Sequence, residues 1–383
     1  MANNNPVVLV HGLLGFGPKE LGELNFWGEA FKVFSPIERY EAAMGPISSA
    51  HDRACELAAQ IKGTKVDYGK EHSEREGHES EGYDYTGKGF VPEWSEDNPV
   101  HLVGHSLGAP TIRCLQQLLE EDYWGWKSSH NWIHSINSIS GVLNGSTLGH
   151  FFGADEENGL MRRDSVASSL QRMIEVVTYV SSRYINSLYD FDLMHWGLEH
   201  QRGETMSEYI KRVAESKFLW GKDNAPYTLT LHGAYEDNAR WNTFDDTYYF
   251  SYITEQTTKG WFSGRYYPDL SMNPGLLSLS IYIGQKEFDK PPIPVPNFKS
   301  SDWWENDGAV SSYSQKYPHT NGNHPVGGEF NDNTVASCFQ RGKWYYKWER
   351  GVDHTDICTF PQITQIGRQR NLYQQLFQRL SDI

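Results

Sequence analysis

Val100-His101-Leu102-Val103-Gly104-His105-Ser106-Leu107-Gly108 carries three signals in a row. A short apolar run ends at a glycine. A serine then sits between two glycines in the pattern G-x-S-x-G. After it, Ile112, Leu115, Leu118 and Leu119 fall on one face of a helix. Strand, turn and helix in that order is the context in which such a serine stands on a sharp turn with its hydroxyl free to react. The flanking glycines keep neighbouring side chains away, and the helix N-terminus favours negative charge formed at the turn. The competing reading is a glycine-rich turn with an ordinary serine. The apolar strand before Ser106 and the amphipathic helix after it speak against that.

Further out, Val7-Val8-Leu9-Val10 is a second continuous apolar run and ends at His11-Gly12. Ile133 to Ile139 reads as a third strand and Tyr248 to Tyr252 as a fourth. A last helix near Arg368 to Leu380 places Leu372, Leu376 and Leu380 four apart. Apolar strands alternating with amphipathic helices predict an α/β fold, a mostly parallel sheet covered by helices on both faces. Two segments break the rhythm and read as insertions in a single domain spanning 1–383. Residues 50–85 are polar and rich in His, Glu and Gly. Residues 164–203 contain a long amphipathic helix with Leu170, Met173, Ile174, Val177 and Val180 on one face. No internal repeat is visible.

A serine nucleophile on such a turn needs two backbone N–H donors for the oxyanion. One is expected from Leu107, directly after Ser106. The other is expected from Leu13, in the loop His11-Gly12-Leu13-Leu14-Gly15 that follows the first strand. Acid and base then follow the serine in chain order, on loops after late strands. Asp307, in Asn306-Asp307-Gly308, and His354, in Val352-Asp353-His354, fit that order. Among 15 histidines, His319 and His324 compete for the base, and Asp302 competes for the acid.

Composition narrows the function classes. The net charge is −15 and no basic stripe occurs, which excludes a polyanion such as nucleic acid as the natural partner. No apolar run approaches the roughly 20 residues of a membrane-spanning helix. The N-terminal Met1 to Pro6 shows neither the basic nor the apolar region of a signal peptide. Four cysteines, Cys55, Cys114, Cys338 and Cys358, are scattered without a CxxC. Free buried thiols are the simpler reading, with a Cys338–Cys358 bridge as the alternative.

Several stretches beyond the serine turn are idiosyncratic. They include Gly45-Pro46, Asp52-Arg53-Ala54-Cys55-Glu56, Val66-Asp67-Tyr68-Gly69, Tyr189-Asp190-Phe191, Trp196-Gly197-Leu198, Tyr267-Pro268 and Glu305-Asn306-Asp307-Gly308. Through them the chain resembles the bacterial family I.5 triacylglycerol lipases of Geobacillus and Bacillus, with staphylococcal lipases as wider relatives. The similarity runs over nearly the whole chain, as a divergent relative: the family's Ala-His-Ser-Gln-Gly is here Gly104-His105-Ser106-Leu107-Gly108.

The resemblance implies an α/β-hydrolase fold, the triad Ser106, Asp307 and His354, a secreted enzyme, and an ester or lipid substrate met at an oil–water interface. It makes 164–203 a helical lid. It also implies a structural zinc held by Asp52, His72, His78 and Asp223. Spacing alone does not imply that zinc, because His72 and His78 lie six apart, no standard zinc signature, and a solvated surface would look the same. A family calcium site transfers poorly: Ser271 and Asp356 match it, but Thr359-Phe360-Pro361 stand where a further aspartate is expected. Phe26, Trp27 and Trp196 line the site, contact the zinc region, or belong to the core. The alternatives are a short-chain carboxylesterase or polyester hydrolase, a transacylase, and a non-catalytic member of the fold.

Overall fold

The computed structural model describes residues 3–18, 25–162, 190–358 and 361–383. Strand β1 (Val7–Val10) is buried along its whole length. Val8 and Val10 pack with helices α1 (Ala50–Lys62) and α3 (Gly108–Glu120) on one side. Val7 and Leu9 pack with the C-terminal helix Ile366–Asp382 on the other. A strand covered on both faces must be apolar at odd and even positions alike, which is why the run does not alternate.

Among the described residues, seven strands make one sheet in the order β10-β11-β7-β6-β5-β1-β2. They are β1, β2 (Arg39–Ala42), β5 (Val100–His105), β6 (Ile133–Ile139), β7 (Tyr248–Glu255), β10 (Val326–Glu329) and β11 (Trp344–Arg350). All six pairings are parallel. Two antiparallel pairs stand apart: β3 (Lys65–Asp67) with β4 (Glu81–Asp84), and β8 (Thr257–Lys259) with β9 (Tyr266–Pro268). The chain leaves β1 toward β2 on one side and returns to β5 on the other. The C-terminal ends of β1 and β5 therefore face a crevice where strand order reverses, the usual ligand position in such sheets. This is the α/β-hydrolase type of architecture that the strand–turn–helix signal predicts.

The polar stretch 50–85 divides in two. Its first part, α1, belongs to the helical layer: Ala54, Leu57, Ala58 and Ile61 are fully or almost fully buried there. Ser49 caps its start by accepting from the Asp52 amide, and Gly63 ends it in a left-handed conformation (φ 79°). Asp52, Arg53, Glu56 and Gln60 are buried too, so polarity here marks buried hydrogen bonding, and the chain leaves the helical layer only after Gly63. The part that follows holds the β3–β4 pair and α2 (Lys70–Glu76). The second segment, 164–203, is described only from Asp190 onward, and the helix expected from Ser168 to Tyr184 lies outside the described residues. From there, Phe191, Leu193 and Leu198 join an apolar cluster with Leu14, Tyr209, Phe218, Met272 and Leu276.

Among the described residues no helix is long and apolar enough to cross a membrane. All four cysteines are free thiols, three buried and Cys338 exposed, so the Cys338–Cys358 bridge is not formed.

Candidate active site

Ser106 follows β5 directly and has φ 56°, a left-handed conformation that costs a non-glycine residue about 1–3 kcal/mol. Its backbone is held from both sides. The Ser106 amide donates to Ile139 O at 3.1 Å, and the Ala109 and Val142 amides donate to Ser106 O at 3.1 and 3.3 Å. The glycines around it are steric necessities. A Cβ on Gly108 would lie 2.1 Å from Val10 O, one on Gly12 would lie 2.8 Å from Ser106 Cβ, and one on Gly104 would lie 2.5 Å from the Gly108 carbonyl. Strands β1 and β5 and helix α3 thus close on one turn. Gly104→Ala is expected to cost about 1–3 kcal/mol of unfolding free energy by overpacking; a denaturant midpoint unchanged from wild type would refute this contact.

The Leu107 amide lies at the start of α3, and neither it nor the Leu13 amide enters a backbone hydrogen bond among the described residues. The next amide along, Leu14, is engaged by Pro46 O at 2.9 Å. Two free donors therefore flank the Ser106 turn, an arrangement able to receive an oxyanion.

Asp307 and His354 come together as chain order predicts. His354 Nδ1 lies 2.8 Å from Asp307 Oδ2, and the His354 amide donates to Asp307 O at 2.9 Å. The fully buried Asp307 carboxylate takes four more donors: Thr254 Oγ1 (2.7 Å) and Gln315 Nε2 (3.1 Å) on Oδ2, and the Ala309 (3.0 Å) and Val310 (2.8 Å) amides on Oδ1. Burial alone would raise this carboxyl. The His354 charge and hydrogen bond, with the two amides, outweigh burial and hold it below its usual range. Thr254 and Gln315 carry no sequence signal; their role appears only when β7 is laid beside the 306–315 loop.

His105 ties the turn to His354, its Nε2 lying 3.1 Å from His354 O. Burial, and then the neighbouring His354, push its imidazole down to about 3, so it is neutral near pH 7. The competitors lie elsewhere. His319 packs edge-on against Tyr313, His324 bonds Thr243 and Asn238, and Asp302 is an exposed residue of the turn Ser300–Trp303. Phe26 and Trp27 are both buried in the core, and Phe26 also packs beside His105 and His11.

A second group of side chains gathers at the start of α1. Ligand-capable atoms of Asp52, His72, His78 and Asp223 all lie within 4.8 Å of one another. His72 Nε2 is 3.2 Å from both Asp52 Oδ1 and Asp223 Oδ2. His78 Nδ1 donates to Glu79 O (2.8 Å), while its buried Nε2 faces Asp223 without a hydrogen-bond partner. An orphaned imidazole nitrogen aimed at two carboxylates, in a set of two nitrogen and two oxygen donors, fits a divalent cation. For His72 to ligate, its proton must sit on Nδ1, with the exposed Arg75 that now faces Nδ1 (2.9 Å) turned to solvent. His195, unremarked in the sequence, supports Asp52 from behind (Nε2 to Oδ2, 3.0 Å), and Trp196 packs on His78.

Ser271 and Asp356 are close, but Gln362 bridges them. Its side-chain amide donates to Ser271 O, and its backbone amide donates to Asp356 Oδ1 at 3.1 Å; Asp356 Oδ2 accepts from the Asp353 amide at 3.0 Å. Burial and the adjacent Asp353 push the Asp356 carboxyl up. Oxygens already satisfied by donors, two in place of six to eight, do not fit calcium.

The chain is 30% identical to a lipase of Staphylococcus hyicus over 372 residues, covering 93% of this chain and 54% of that protein. It spans about half the length of the curated relatives it matches. Its structure resembles that of EstA from Clostridium botulinum (TM-score 0.82, 31% identity, covering 100% of this chain and 88% of that one). It also resembles lipase 1 from Pelosinus fermentans (TM-score 0.78, 29% identity, 100% and 99% covered). The family described as "Lipase-like, C-terminal domain" matches residues 3–383, and the chain belongs to that family.

Proposed function

We propose that this chain is a serine carboxylic-ester hydrolase acting on acylglycerols, a triacylglycerol lipase. The observation that carries the proposal is the Asp307–His354 pair, held beside a strained serine turn with two unengaged amides. His354 removes the Ser106 hydroxyl proton through Nε2 as Oγ attacks the ester carbonyl. Asp307, on Nδ1, fixes the tautomer and stabilises the imidazolium. The Leu13 and Leu107 amides hold the oxyanion. His354 then protonates the departing alcohol, leaving an acyl-serine, and activates the water that releases the acid. The likeness to proteins named lipases supports acylglycerol as the substrate.

In this reading 1–383 is one catalytic domain, 164–203 is its lid, and the protein works outside the cell at an oil–water interface. Hydrolysis of short- and long-chain glycerides, with labelling by a fluorophosphonate serine probe, tests it. Wild type should hydrolyse and label, and Ser106→Ala should do neither. Labelling that persists in Ser106→Ala would defeat the assignment.

The cation at Asp52, His72, His78 and Asp223 we read as zinc, which two imidazoles and two carboxylates suit in tetrahedral coordination. Bound there, it would supply a cross-link between α1, the α2 segment and the Asp223 loop, with no part in the ester chemistry. About one zinc per chain is expected by elemental analysis. Chelation should lower the melting temperature; metal-free protein of equal stability would rule the zinc out.

A further inference from the structure

Two aromatic side chains project from the surface with almost no contact to the rest of the chain: Trp261 is 92% exposed and Phe262 is 97% exposed. They form the tip of the β8–β9 hairpin. The tip is a closed turn, with Gly260 N donating to Arg265 O at 2.8 Å and Gly264 N to Gly260 O at 3.0 Å. Leu270, just past the hairpin, is fully exposed as well.

The root of this hairpin is bonded to the loops that carry the acid and the base. The Gln256 amide donates to Asn306 O (3.1 Å), next to Asp307, and the Asp269 amide donates to Gln256 O (3.1 Å). Gln256 Nε2 donates to Ser271 Oγ (2.9 Å), and the Asn273 amide donates to Asp353 Oδ2 (2.7 Å), next to His354. The apolar tip therefore stands at the same end of the sheet as Ser106.

The shape of the tip selects the partner. Side chains exposed this fully have no concave wall beside them, so among the described residues the tip offers no groove to a peptide or helix. A fluid apolar phase closes around a projecting Trp or Phe whatever its shape, and the hydrophobic gain scales with the area removed from water. Charge selects further. The cations beside the tip are engaged at home, Arg265 with Glu287 (3.0 Å) and over the Trp304 ring, and Lys259 over the Tyr266 ring. The chain as a whole carries −15, which an anionic bilayer repels and an uncharged ester phase does not. We propose that Trp261 and Phe262, with Leu270, anchor the Ser106 end of the molecule in a neutral acylglycerol surface. This deepens the reading of the site as an acylglycerol hydrolase and rests on it.

The test compares wild type, the double variant Trp261→Ser/Phe262→Ser, and Phe34→Ser. Phe34 is 79% exposed and lies on the loop that enters the opposite, N-terminal end of the sheet at β2. Two quantities are measured on the full chain: partition onto trioctanoin droplets, and kcat/KM on a dissolved short-chain nitrophenyl ester. The double variant should partition on the order of 10–100-fold more weakly. Its turnover of the dissolved ester should be unchanged, and Phe34→Ser should match wild type in both. Equal partition of wild type and double variant overturns the anchor. So does equal weakening by Phe34→Ser, or tighter binding to phosphatidylglycerol vesicles than to droplets. Wild type that binds droplets through Trp261 and Phe262 but hydrolyses no ester would sink the functional reading and leave the surface standing.

Discussion

Asp307→Asn should lower kcat by about 10⁴-fold with the fold intact. The reason lies in what each oxygen of Asp307 accepts. Oδ2 takes protons from His354 Nδ1, Thr254 Oγ1 and Gln315 Nε2, and Oδ1 takes two backbone amides. The amides cannot turn away, so they keep the asparagine oxygen at the Oδ1 position. The asparagine NH₂ then points at His354, where the imidazole must accept instead of donate. That moves its proton to Nε2, the nitrogen that must be bare to receive the Ser106 proton. KM for a dissolved ester should change little, because Asp307 touches no substrate.

The same substitution should alter acid stability. The folded carboxyl lies below its usual range, so the folded state takes up this proton at lower pH than the unfolded chain. Its stabilising contribution is complete above the ordinary aspartate value, about 3.9, and is lost as pH falls through the lowered folded value. An asparagine side chain has no such proton, and the variant should show a shallower decline in unfolding free energy over that window. A kcat within tenfold of wild type would mean that another carboxylate, with Asp353 nearest in sequence, orients the base.

What could be read from sequence follows from how local each signal is. The Ser106 turn was legible because strand, glycines and helix are contiguous. Asp307 and His354 were legible only as an order along the chain; choosing them over Asp302, His319 and His324 needs β7 and β11 laid side by side, or a resemblance. The residues that hold them were not legible at all. Thr254 sits inside an apolar strand, and Gln315 ends a short helix; each acquires its role from a partner 53 and 8 residues away. Helix α1 misleads for a physical reason. Its Asp52, Arg53, Glu56 and Gln60 look like surface residues, yet they are buried with partners supplied by other elements. The candidate cation group needs Asp223 to return to the start of α1 from more than 150 residues downstream, and spacing carries no trace of that return.

Arg53→Met should have the second large effect, on stability and turnover together. The buried guanidinium joins three elements: Nε donates to Thr111 Oγ1 on α3 (3.0 Å), Nη1 to Gly45 O after β2 (2.7 Å), and Nη2 to His11 O after β1 (2.5 Å). Methionine fills much of the same volume, so the loss is chiefly polar. The buried His11 and Gly45 carbonyls lose a charged donor, at about 1–3 kcal/mol each. That is a substantial part of the 5–15 kcal/mol typical of a domain, and the denaturant midpoint should fall accordingly.

The effect on turnover comes through position. His11 O opens the loop that presents the Leu13 amide, and a displaced oxyanion donor costs about 10²–10³ in kcat. Burial is the larger of the causes that hold the neighbouring His11 imidazole down, ahead of the Arg53 charge; burial persists in the variant and still disfavours a charged His11 as a replacement for the lost cation. Lysine should rescue little, because one ammonium cannot span acceptors on three elements in a planar fork. The expectation fails if Arg53→Met unfolds within 1 kcal/mol of wild type and turns over a dissolved ester at the wild-type rate. If it holds, α1 has two distinct duties on adjacent residues: Asp52 belongs to the candidate cation group, and Arg53 sets the loop that presents the Leu13 amide. Glu56, one turn later, accepts from both the Gly45 amide (2.7 Å) and Tyr68 Oη (3.0 Å), and Tyr68 stacks on His195 behind Asp52. The cation cluster and the oxyanion loop are then coupled through a single rigid helix. Chelation should therefore slow fluorophosphonate labelling of Ser106 before it unfolds the chain.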